Sequence, residues 1–138
     1  MAAVVKKVEY FYTLVPNKAG QGARIFNALR EEGVSLIAFT GFPLSKRRAQ
    51  VDFVPSNQEV FLDAAKKAGI ELVGPKVAFL VQGEDRVGAV AEMLSKLEKA
   101  HINVTAIQAV AAGAGRFGAI FWVRPRNIGK AAQILNAS

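Results

Sequence analysis

Apolar residues recur along this chain with two alternating periods, and the whole pattern runs twice. Val8–Val15 is aromatic and β-branched and reads as a strand. Pro16-Asn17-Lys18-Ala19-Gly20 is a turn. Ala23, Phe26, Leu29 and Arg30, with Ile25 and Ala28 beside them, have helical spacing that ends at Gly33. Val34–Phe42 reads as a second strand, Pro43–Arg47 as a turn and Arg48–Val54 as a third strand. Gln50 and Asp52 alternate there with Ala49, Val51 and Phe53, so one face is expected to be polar and open to water. Ser56 or Asn57 caps a helix to about Ala68, Gly69 stops it, and Ile70–Val73 is a short fourth strand. Gly74-Pro75 is then expected to break the chain.

The same series follows as Lys76–Gln82, Ala89–Ala100, Ile102–Val110, a Gly113-Ala114-Gly115 hairpin, Arg116–Val123 and a last helix over Asn127–Leu135. When Phe11 is laid on Phe79, Gly20 falls on Gly88, Ala23 on Ala91, Leu29 on Leu97, Ala38 on Ala106, Arg48 on Arg116 and Phe53 on Phe121, without a gap. Internal repetition of this kind marks a duplicated unit. The expected fold class is α+β: two ferredoxin-like βαββαβ units, antiparallel sheets with helices on one face. The expected domains are residues 1–74 and 75–138, with the second unit lacking its last strand.

Each copy carries the same turn. Asn17-Lys18-Ala19-Gly20 precedes the first helix, with Val34-Ser35-Leu36 opening the next strand; the counterparts are Asp85-Arg86-Val87-Gly88 and Ile102-Asn103-Val104. In these motifs the chain resembles the ACT family, and the resemblance covers nearly all of it, twice. It is similar to the free-standing tandem ACT proteins, which carry no catalytic domain. That resemblance implies a non-enzymatic regulatory or sensor protein that binds a small molecule, an amino acid for preference. The ligand-binding residues it implies are Asn17, Lys18, Ala19, Gly20 and Ser35 in the first copy and Asp85, Arg86, Val87, Gly88 and Asn103 in the second. Physical chemistry gives the turn an independent rationale. A helix N-terminus presents unpaired N–H groups and a partial positive charge, which attract a carboxylate. Asn17 or Asp85 can cap the helix or accept from an ammonium group. An ordinary structural role in a βα turn stands as the competing reading of the same residues.

Composition narrows the chemistry. The chain has no cysteine and one histidine, so no thiolate nucleophile and no Cys/His metal cluster is expected, and the expected compartment is the cytoplasm. No catalytic residue, metal or cofactor is expected. No apolar run approaches the roughly 20 residues of a membrane span, and the N-terminal pattern does not read as a signal peptide. A net charge of +7 permits attraction to polyanions. Lys46-Arg47-Arg48 and Arg124–Arg126 read as solvated surface. Gly115–Val123 distantly resembles the third-strand motif of single-stranded RNA-binding domains, which is the alternative function. That motif needs open aromatic rings, whereas Phe117, Ala119 and Phe121 alternate with Ile120 and Trp122 as a strand buried on both faces. Nucleic acid is therefore not the expected partner. A homodimer is expected, centred on the second copy: its third strand would expose Ile120 and Trp122, and its missing fourth strand would leave a bare edge. The resemblance also leaves room for an unidentified protein partner.

Overall fold

A computed structural model of the chain describes residues 3–138. Its elements are β1 (Val4–Pro16), α1 (Gln21–Glu31), β2 (Leu36–Pro43), β3 (Arg48–Pro55), α2 (Gln58–Lys67), β4 (Val73–Glu84), α3 (Ala89–Lys99), β5 (Val104–Gly113), β6 (Arg116–Val123) and α4 (Ile128–Ile134). The strands are hydrogen-bonded in the order β2-β3-β1-β4-β6-β5, and the β1·β3, β2·β3, β4·β6 and β5·β6 pairs are antiparallel. This is the expected α+β fold of ACT-type, ferredoxin-like units.

The first compact unit is Glu9–Lys76. Its core gathers Phe11, Val15, Ile25, Leu29, Val51, Phe53, Phe61 and Ala64. Phe11 and Phe39 both stand opposite Phe53 in the strand register. The Phe53 ring lies 5.3 Å from that of Phe61 and 5.8 Å from that of Phe26, centroid to centroid. Ile25 and Leu29, one helical turn apart, bring α1 onto this layer. Asn57 Oδ1 caps α2 by accepting from the Val60 N–H at 3.1 Å.

The polar residues of β3 do not face water as their alternation suggests. Asp52 is only 5% exposed, between its register partners Tyr12 on β1 and Thr40 on β2. Gln50 Nε2 donates to Asp52 Oδ1 at 2.8 Å. Burial pushes the Asp52 carboxyl pKa up, opposed by the Gln50 and Thr40 side chains and by the charge of Lys76. A central strand buries both faces, so alternation along one strand misjudged this carboxylate.

The second unit joins the chain up to Val8 with Val77–Ser138. Phe79 and Phe121 are register partners whose rings stack 5.0 Å apart, over Met93, Leu97 and Ala131. The fourth strand expected to be missing here is supplied by the start of β1. Val5 enters this core, and the Ser138 N–H donates to the Val5 carbonyl at 3.2 Å. Likewise the start of β4 falls within the first unit. Gly74-Pro75 lies inside β4 rather than breaking the chain. A Cβ at Gly74 would stand 2.9 Å from the Phe11 ring and from the Tyr10 carbonyl oxygen, so this glycine permits close strand approach.

Two further expectations for the second unit change. Ile120, expected to lie bare on β6, is 7% exposed, beside its buried register partner Leu80. Trp122 is half-buried. The bare edge is also absent, because β1 follows β4 in the strand order. The premises for a dimer centred on β6 are therefore removed. Phe117 and Phe121 are buried in the core, so neither ring is available for stacking on bases.

Candidate functional site

The two repeated turns end on glycines in the same left-handed conformation. Gly20 and Gly88 are the N-caps of α1 and α3, at φ 92° and 81°. That left-handed conformation is open to glycine at little cost. A Cβ at either position would meet nothing within 4 Å, so conformation rather than crowding selects glycine. Each turn is tied to the hairpin of its own unit through an equivalent amide. The Asn17 N–H donates to the Arg47 carbonyl, and the Asp85 N–H to the Gly115 carbonyl, both at 2.8 Å.

The side chains diverge. Asn17 Nδ2 donates to the Ser45 carbonyl at 3.0 Å and fastens the β2–β3 hairpin. A carboxylate has no proton to donate, so Asp85 cannot make that bond. Among the described residues the Asp85 side chain has no hydrogen-bond or ion-pair partner. It lines a groove of about 400 Å³ with Arg86, Gly88, Ala89, Val90 and Ala91, whose far wall is Ala109, Val110, Ala111 and Phe117. Neither Asn17 nor Asp85 caps its helix through its side chain.

Arg86 is engaged beside this groove. Its guanidinium meets the Glu92 carboxylate in a two-pronged pair, Nη1 to Oε1 at 3.0 Å and Nη2 to Oε2 at 2.6 Å. The pair raises the Arg86 pKa and lowers that of Glu92, each chiefly through the hydrogen bond. Both groups are exposed, so solvent screens the contact.

The remaining expected residues fall in different places. Val87 is fully exposed, and Lys18 and Ala19 lie at the surface of the first turn. The Ser35 carbonyl accepts from both the Ser56 N–H and the Ser56 hydroxyl at 3.0 Å. Asn103 lines a separate recess of about 490 Å³ with Glu98, His101 and Ile102, at the opposite end of α3. The structure thus brings Asp85, Arg86 and Gly88 together, without Asn103. Sequence reasoning missed the wall residues Ala109, Val110, Ala111 and Phe117. The signal lay in the hairpin: Glu84 pairs with Arg116 and Ala111 with Phe117, which carries β5 and β6 alongside the turn.

The architecture is shared with solved structures. No family model matches the chain, and no curated protein matches it in sequence. Solved structures do match. Protein BT0572 from Bacteroides thetaiotaomicron superposes with a TM-score of 0.80 at 16% identity, covering 97% of this chain and 88% of that one. The ligand-free regulatory subunit of aspartate kinase from Thermus thermophilus matches with a TM-score of 0.64 at 18% identity, over 99% of this chain and 95% of that one. The Thermus flavus subunit gives a TM-score of 0.61 at 18% identity, over 99% and 95%. At such identities the likeness establishes the fold.

Proposed function

We propose that this chain is a non-enzymatic regulatory protein that binds a free amino acid in the second unit, at the Asp85–Gly88 turn. The observation that carries the reading is the unengaged Asp85 carboxylate in a groove headed by the N-terminus of α3. Asp85 would accept from the ligand ammonium, the first amides of α3 would receive its carboxylate, and Ala109, Val110 and Phe117 would face its side chain. A groove of this volume is of the order that small-molecule sites use. The fold shared with regulatory subunits of aspartate kinase supports the class, and a protein so built would signal through a partner. The first turn, with Asn17 engaged by Ser45, plays a structural role in this reading.

A thermal-shift screen of the twenty amino acids tests it. A ligand at 100 times its dissociation constant adds about 2.7 kcal/mol of stability. At least one amino acid should raise Tm in the wild type and fail to do so in Asp85→Asn. A flat screen, or an equal shift in both proteins, would overturn the proposal.

A further inference from the structure

The β2–β3 hairpin of the first copy ends in a tip whose chemistry the fold does not require. Leu44, Ser45, Lys46 and Arg47 link the strands, and Arg48 opens β3. Ser45 Oγ accepts from the Arg47 and Arg48 N–H groups, both at 3.1 Å, which fixes the turn. Asn17 fastens it to the β1–α1 turn, so Lys18 and, on the first turn of α1, Arg24 join the same end of the unit. Lys18, Arg24, Lys46, Arg47 and Arg48 are all exposed, and none has an ion-pair partner among the described residues. No acidic residue occurs from Tyr10 to Arg30 or from Gly33 to Val51. Beside these charges stand bare apolar side chains. Leu44 is 53% exposed, and Leu14 and Phe42, which flank Gln50 in the strand register, are 40% and 39% exposed. The repeat supplies the control. The second copy closes its hairpin with Ala112, Gly113, Ala114 and Gly115, carries Glu92 at the place of Arg24, and pairs its Arg86 with that glutamate. The same scaffold is thus built without leucine or this run of cations.

We propose that this tip docks on an anionic phospholipid bilayer, with Leu44 and Phe42 entering the boundary between headgroups and acyl chains and the five cations meeting lipid phosphates. At such an interface the burial of apolar area and the attraction to anionic headgroups add together. A flat, uniformly charged surface can also meet cations drawn from three separate segments at once. Single-stranded nucleic acid fits less well, because it stacks on successive rings and Phe42 is the only aromatic residue from Thr40 to Asp52. A hydrophilic acidic peptide would answer the charges and leave Leu44 and Leu14 in water. The tip belongs to the other copy of the repeat from the Asp85 groove, so the two readings stand or fall separately.

Vesicle co-sedimentation tests it. The wild type should pellet with vesicles of phosphatidylcholine carrying about one-third phosphatidylserine, stay free with phosphatidylcholine alone, and be released as salt rises. Lys46→Ala should lower the partition about fivefold, and Lys46→Glu combined with Arg47→Glu should abolish it. Leu44→Ser should weaken binding at unchanged charge. Because the chain has no cysteine, Leu44→Cys can carry a single environment-sensitive dye. Its emission should move to the blue on the anionic vesicles, while the same dye on Ala112→Cys, the equivalent place in the second copy, should not respond. Absence of pelleting at low salt overturns the proposal. So does undiminished binding in the double charge reversal or in Leu44→Ser, or an equal dye shift at both positions. Tighter binding to single-stranded RNA than to the anionic vesicles at physiological salt would overturn it as well.

Discussion

The turns Asn17–Gly20 and Asp85–Gly88 share spacing, glycine conformation and hairpin tether, and their first side chains differ in one atom. The amide nitrogen of Asn17 closes a bond to Ser45. The carboxylate oxygen at the same place in Asp85 cannot, and it is left facing a groove. The duplicated motif is thus one scaffold with two outcomes: one copy fastens its hairpin, and the other leaves a carboxylate unengaged along a groove. The presence of a motif does not show that it is a site. What matters is whether its polar atoms are already engaged.

The strongest way to break the comparison is to exchange the side chains. Asp85→Asn should lower affinity for the bound amino acid at least tenfold, measured by calorimetric titration, while Tm stays nearly constant. Asn17→Asp should do the reverse. It removes a hydrogen bond and sets a carboxylate against the Ser45 carbonyl, costing about 1–2 kcal/mol in denaturant unfolding with ligand affinity unchanged. If both exchanges alter affinity, the two turns are not divided as described.

Gly20→Ala and Gly88→Ala should hold the comparison constant. Both glycines have positive φ and open space around the added Cβ, so each variant should lose about 1 kcal/mol, by equal amounts. A much larger loss at Gly88 would mean that the groove is tighter than its geometry implies.

A smaller effect separates the third strands, where the repeat sets Asp52 on Ile120 and both are buried. The folded pKa of Asp52 is raised, chiefly by burial. Its contribution to stability is therefore complete below the ordinary carboxylate range and is lost as pH rises through the raised value. Asp52→Asn should accordingly raise Tm at pH 7 by about 2–4 °C, and the gain should vanish as pH falls toward 4. A gain independent of pH would show that repacking, not charge, explains it.

The fold was largely legible in the sequence because helical and strand periods alternate in both copies and the aromatic positions coincide. What stayed hidden depends on neighbours far away in sequence. The sequence pattern opens the first strand only at Val8, and the packed structure shows it starting at Val4, with Val5 in the core of the second unit. Gly74-Pro75 carries every local sign of a break, yet the closeness of Phe11 makes that glycine part of a continuous strand. Alternation placed Asp52 in water because a single strand cannot reveal what lies on either side of it. At the candidate site, Asp85, Arg86 and Gly88 were named by the family resemblance, and the structure sets them along one groove. The wall from Ala109 to Ala111 was not named, since small apolar residues on an edge strand carry no chemical signature.

The most direct measurement is an amide nitrogen–proton NMR titration with the amino acid that gives the largest thermal shift. If the second turn is the site, saturable shifts will centre on Gly88, Ala89 and Val90 and extend to Ala109–Ala111, with the amides from Gly20 to Ala23 unmoved. Shifts centred on the Gly20 turn, or shared equally by both turns, would contradict the division between the two copies.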